Sequence, residues 1–196
     1  MNKIVEIITN VNDAVNGGGL RDAIAAGDLT FNDILSVYPF NNQVVVCEIT
    51  GQALLDMLEM ALANYPEEDG SFPHVSGVTF SVNTSIPTSV QMDENGVFTG
   101  MGGAYRVSGV RVLDSASGEY LPLEANKTYT FASHNYLILE QGGGMSMFKD
   151  VPILQNDGML DVELLEIYIV DHLGGHIGEE CRDVKNAITF TEGKAE

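Results

Sequence analysis

Asn16-Gly17-Gly18-Gly19-Leu20-Arg21, followed by Tyr38-Pro39-Phe40-Asn41-Asn42, decides how the rest of the chain is read. Three successive glycines let the backbone take positive φ angles and approach a ligand without Cβ clashes. A helix starting over Leu20–Ala26 would add its free N–H groups to the loop's own and make an anion-friendly corner. Arg21 would set a permanent, forked positive charge beside it. Only three other arginines occur, at 106, 111 and 182. A plain flexible turn is the other reading of the same glycines.

Beyond that stretch, helices and strands mix without a regular βαβ rhythm. Thr30 caps a helix expected over Phe31–Val37, with Asp33 at the capping-box position. Gln43–Thr50 carries a β-branched run and reads as a strand. Leu54, Leu55, Leu58, Ala61 and Leu62 recur at helical spacing between Gln52 and Asn64. Strands are expected over Val75–Val82, Tyr105–Leu113, Thr128–Ser133 and Ala187–Phe190. Asn83–Gly103 is polar and glycine-rich, so a weakly hydrophobic hairpin and a loop both remain open. Asp161–Leu173 reads as an amphipathic helix stopped by Gly174-Gly175. The fold class is therefore α+β, a single domain with a mixed β-sheet flanked by helices.

Charge excludes several partners. Nine Lys and Arg against 28 Asp and Glu give −19, which opposes nucleic-acid polymers and anionic membranes. A small anion would need local cations to overcome that field. No run approaches the ~18 apolar residues that span a bilayer, so membrane insertion is not expected. Met1-Asn2-Lys3-Ile4-Val5-Glu6 has none of the marks of a signal peptide. Cys47 and Cys181 make no zinc quartet, and a disulfide between them needs Cα atoms within about 7 Å.

The segments, in order, resemble the C-terminal domain of the 5′-nucleotidase family of secreted and cell-surface nucleotide hydrolases. The anchors are Asn16–Arg21, Gly27-Asp28-Leu29-Thr30, Pro39-Phe40-Asn41-Asn42 and Ile49-Thr50-Gly51-Gln52-Ala53-Leu54. Gly70-Ser71-Phe72-Pro73-His74-Val75-Ser76-Gly77, Lys127-Thr128-Tyr129-Thr130, and Asn135-Tyr136 with Gly142-Gly143-Gly144 complete the set. The resemblance implies a domain over 16–190, with 1–15 an extension and 191–196 a tail. It implies a nucleoside or nucleotide ligand whose base stacks between Phe40 and Tyr136, the latter replacing the usual Phe. Asn16 and Arg21 match polar residues near ribose and phosphate, Asn42 the position facing the base, and Gly70 a glycine lining the pocket. An extracellular or cell-envelope location follows from the same likeness.

The chain also departs from that family. Gly-Gly-Asp-Gly is usual where Gly142-Gly143-Gly144-Met145 stands, so the acidic residue expected at the ribose is missing at Gly144; either Glu140 or Gln141 supplies a replacement acceptor, or ribose recognition is altered or absent. Residues 1–15 hold Lys3 but no arginine. The clusters that ligate two divalent metals in the family's N-terminal metallophosphoesterase domain do not occur here. No cofactor is expected in this chain, both metals belonging to a separate catalytic domain. The sequence therefore suggests the recognition part of a hydrolase, inactive by itself. A surface-exposed binding or structural module that kept the fold but lost nucleotide recognition is the alternative, and a freestanding chain working with a partner phosphoesterase is a third.

Overall fold

In the computed structural model, residues 12–22, 24–178 and 187–192 are described, Asn12–Asn16 by backbone alone, and two mixed sheets pack around a central helix. The first strand, Asn12–Asn16 (β1), runs into a 3-10 turn at Gly17–Gly19. Helix α1 (Phe31–Val37) leads to β2 (Val44–Thr50) and the central helix α2 (Gly51–Ala61). Strands β3 (Pro73–Ser76), β4 (Val78–Asn83), β5 (Val90–Met92), β6 (Phe98–Met101), β7 (Val107–Asp114), β8 (Glu119–Pro122) and β9 (Thr128–His134) follow. Helix α3 (Asn135–Ile138), β10 (Ile153–Gln155), α4 (Asp161–Ile167) and β11 (Ile188–Thr191) complete the order.

One sheet has the order β10-β2-β9-β1-β3 and the other β11-β4-β7-β8. Neighbours are antiparallel except β1 with β9 and β11 with β4. The α+β class is as expected, with two mixed sheets where one was anticipated. β1 already pairs at Asn12, inside the stretch expected as an extension.

Helix α2 starts where Thr50 accepts a hydrogen bond from Ala53 N at 3.2 Å. It must be small at its first residue, because a Cβ on Gly51 would strike the Glu124 carbonyl. Leu54, Met57, Leu58, Met60 and Ala61 are buried against β2 and β7. Polar groups lock the helix end: Glu59 Oε1 accepts from Val107 N at 2.6 Å, and Arg106 donates to the carbonyls of Leu62 and Tyr65. Burial raises the Glu59 carboxyl above its ordinary value, while the Val107 and Arg106 backbone bonds oppose that. Cys47 is a buried free thiol, its pKa pushed up to about 12 by burial; Cys181 lies outside the described residues.

Three local expectations change. The described part of Leu20–Ala26 is not helical. Leu20 N bonds to Gly17 O, which closes the 3-10 turn, and Arg21 N donates to Val37 O at the far end of α1. That bond draws the chain across α1, and Gly27 ends the stretch at φ 147, a glycine conformation. Val75–Val82 is broken by Gly77 (φ 68) into β3 and β4, which join different sheets. Asn83–Gly103 resolves into the β5–β6 hairpin. The Thr30 cap forms as anticipated: Asp33 accepts from the Thr30 hydroxyl and from Thr30 N at 2.7 Å, and these two bonds, the hydroxyl's first, lower its pKa. No described helix is long and apolar enough to cross a membrane.

Candidate functional site

β2 and β9 lie side by side with Val44 opposite His134, so the chain entering β2 meets the chain leaving β9. The junction is fastened twice. Gln43 N donates to Asn135 Oδ1 at 2.8 Å, and Asn135 N donates to Gln43 O at 2.8 Å. Phe40-Asn41-Asn42 thereby lies next to His134-Asn135-Tyr136, and between them opens a cleft of about 470 Å³. Asn41 takes a left-handed φ of 52, a conformation asparagine tolerates better than most residues.

Arg21, Phe40, Asn42 and Tyr136 all line this cleft. The two rings are 50% and 40% exposed, open to the cleft instead of packed into the core. Arg21 holds its guanidinium 5.0 Å from the centre of the Phe40 ring, a cation–π distance. The Asn42 amide is partly engaged, donating to Asp161 Oδ2 at 3.3 Å, while Asn42 O accepts from Asp161 N. That pairing ties the cleft wall to the start of α4.

Gly70 does not line this cleft. It borders a neighbouring one of about 310 Å³, which Tyr136 also lines, so Tyr136 stands between the two. Its carbonyl accepts from Gly18 N at 2.8 Å and holds the glycine turn in place. Asn16 enters through its backbone, opposite Pro73 and directly before that turn.

The second glycine run supports the second ring. A Cβ on Gly142 would overlap the Tyr136 ring. Gln141, at φ 52, turns the chain sharply just before it. Gly144 is left-handed (φ 78), and a Cβ there would run into the Gly96 carbonyl at the tip of the β5–β6 hairpin. The hairpin thus fills the space that a side chain at 144 would need.

Two further residues face the cleft. His134 is buried, 4% exposed, with its ring 6.0 Å from that of Tyr136. Burial lowers its pKa to about 4, so the imidazole is neutral at pH 7. Glu140 is exposed and has its carboxylate held by Asn135 Nδ2 at 3.1 Å. Glu140 is one of the two acceptors that the sequence offers beside Gly144, and His134 stands where its sequence places it, at the end of a strand. Open aromatic faces, one guanidinium and one carboxylate suit a flat, hydrogen-bonding, anion-bearing molecule. Among the described residues, no group of three His, Cys, Asp or Glu side chains could hold a metal ion.

The family model described as "5′-nucleotidase, C-terminal domain" matches residues 12–150. The trifunctional nucleotide phosphoesterase protein YfkN of Bacillus subtilis is 30% identical over 151 residues, covering 76% of this chain and 9% of its own. Protein UshA of Yersinia enterocolitica is 31% identical over 158 residues, covering 81% of this chain and 24% of its own. The chain therefore spans a quarter or less of these relatives. Among solved structures, a 5′-nucleotidase precursor from Thermus thermophilus superposes with a TM-score of 0.73 at 24% identity, over 95% of this chain and 32% of that one. Haemophilus influenzae NAD nucleotidase gives 0.67 at 21% identity, over 95% and 30%. With the motif order, the two-sheet fold and the sequence match in agreement, the chain belongs to the family of 5′-nucleotidase C-terminal domains.

Proposed function

We propose that this domain recognises a nucleoside or nucleotide for a 5′-nucleotidase-type phosphoesterase. The observation that carries the reading is the pair of open rings, Phe40 and Tyr136, on one cleft with Arg21. A purine offers two flat faces, and stacking on an aromatic is worth about 1–3 kcal/mol per base in comparable sites. Arg21 supplies a local cation for a phosphate in a chain whose net charge is −19. Asn42 is the amide nearest the base in this reading, Asn16 joins Arg21 near ribose and phosphate, and Gly70 acts on the far side of Tyr136.

Bond cleavage belongs to an N-terminal metallophosphoesterase domain of the full-length protein, which holds two divalent metals. In this reading the chain's own part is binding and orientation. The expected reaction is release of phosphate from a nucleoside 5′-monophosphate, or cleavage of a related sugar nucleotide, outside the cell or in its envelope.

A second reading keeps the fold without the ligand. It draws support from Gly144, where hairpin backbone stands in place of an acidic side chain. Titration calorimetry with adenosine and AMP at low salt separates the two. The recognition reading expects saturable binding that Phe40→Ala removes. A folded chain that binds neither at millimolar ligand supports the module reading instead.

A further inference from the structure

We propose that Asp161 is a positioning residue that makes this cleft select a base carrying an exocyclic amine, an inference that rests on the nucleoside reading above. Asn42 lines the cleft; Asp161 does not, and reaches Asn42 from the start of α4. The two are fastened at both backbone and side chain. Asp161 N donates to Asn42 O at 2.8 Å, and Asn42 Nδ2 donates to Asp161 Oδ2 at 3.3 Å. The other carboxylate oxygen is taken as well, since Val162 N donates to Asp161 Oδ1 at 2.8 Å. A β-bridge between Gln43 and Leu160 holds the same two segments together one residue away.

Chemistry decides which way the Asn42 amide faces. An ionised carboxylate accepts and never donates, so only the NH2 end of the amide can meet it. A turned-over amide would set Oδ1 against Asp161 Oδ2, two acceptors with no proton between them. Val162 N keeps the carboxylate from rotating away from that encounter. Asn42 Oδ1 makes no hydrogen bond with any described residue, so it is the acceptor left to a ligand. Nucleobases differ at their exocyclic groups: adenine and cytosine carry an amine where hypoxanthine and uracil carry a carbonyl. A fixed acceptor bonds the amine and repels the carbonyl. Asp161 thus sets the choice through Asn42 without touching the ligand.

Calorimetry at pH 7.5 with adenosine and inosine, on the wild-type chain and on Asp161→Asn, tests this. The wild type should bind adenosine about tenfold more tightly than inosine. In Asp161→Asn the new amide keeps an oxygen for Val162 N and turns its NH2 toward Asn42, which then accepts with Oδ1 and offers Nδ2 to the ligand. The ratio should fall to one or invert, whereas a merely structural part for Asp161 would weaken both nucleosides alike. Side-chain amide spectra of the nitrogen-15-labelled, ligand-free chain test the clamp by itself. The Asn42 NH2 should exchange with solvent more slowly in the wild type than in Asp161→Ala. Equal exchange in those two chains, equal binding of the two nucleosides by the wild type, or an unchanged ratio in Asp161→Asn overturns the role of Asp161 alone. Failure of the wild type to bind either nucleoside overturns the nucleoside reading, and the selection with it.

Discussion

Gly142 is the seat of the Tyr136 ring: the carbon an alanine would add there falls inside the ring's van der Waals surface. Gly142 is not left-handed, so the requirement is steric and not conformational. Tyr136 is 40% exposed and is free to swing outward, so Gly142→Ala should displace the ring at small cost to the fold. On the proposed nucleoside reading, the expected outcome is an affinity for adenosine roughly tenfold to a hundredfold weaker with nearly unchanged Tm. Wild-type affinity in a folded Gly142→Ala chain would show that the ring needs no such seat.

Gly144→Asp installs the acidic residue that the resemblance leads one to expect there, and it should damage this chain. The position has a φ of 78, costing a non-glycine residue about 1–2 kcal/mol, and a Cβ would collide with the Gly96 carbonyl. Because the obstacle is backbone, relief requires the β5–β6 hairpin to move away. Urea unfolding should show a loss of about 2 kcal/mol or more, with faster amide exchange in Val90–Met101. Equal stability would mean the hairpin yields freely.

Local signals in the sequence were reliable where local chemistry decides the structure. Thr30 with Asp33 marked the start of α1, the run from Gln43 to Thr50 marked β2, and the leucine spacing marked α2. The irregular path after Arg21 was hidden, because Arg21 N is tied to Val37 O, a partner sixteen positions on that no local pattern reveals. Gly77 was visible as a glycine, but its role in sending β3 and β4 to different sheets depends on pairing with distant strands.

The lining of the candidate cleft was legible in the motifs, and its contacts were hidden. Arg21, Phe40, Asn42 and Tyr136 were each singled out; the register of β2 with β9 brings the last three together, and the bond from Arg21 N to Val37 O brings Arg21 to the same cleft. Gly70 falls instead on the cleft behind Tyr136, a distinction that needs the third dimension. Likewise the sequence displayed a glycine at 144, while only the fold reveals the hairpin tip pressed against it.

Cys47 should be inert in the native protein. It is wholly buried, and burial pushes the thiol pKa up to about 12, so the reactive thiolate is scarce at neutral pH. Iodoacetamide at pH 7.5, followed by peptide mapping, should leave the Cys47 peptide unmodified until urea unfolds the chain. Rapid native labelling at Cys47 would contradict the packing of β2.

His134 should make stability fall with acid in a window set by its own pKa. Its ordinary value of 6.5 is lowered to about 4 by burial, so between those values the unfolded chain binds a proton that the folded chain refuses. Stability contributed by the neutral imidazole is complete above pH 6.5 and declines toward pH 4, by roughly 3 kcal/mol in all. Asp33, Asp69, Asp93 and Asp114 have lowered values and lose their contributions only below about 3.8. Glu59 and Asp161 are raised, mainly by desolvation, and act in the opposite direction. The wild-type curve mixes these effects, but its difference from His134→Asn isolates one group. That difference in urea-unfolding free energy should shrink in favour of the variant between pH 7.5 and 4.5. Parallel curves would place the imidazole in contact with solvent and remove it from the cleft floor.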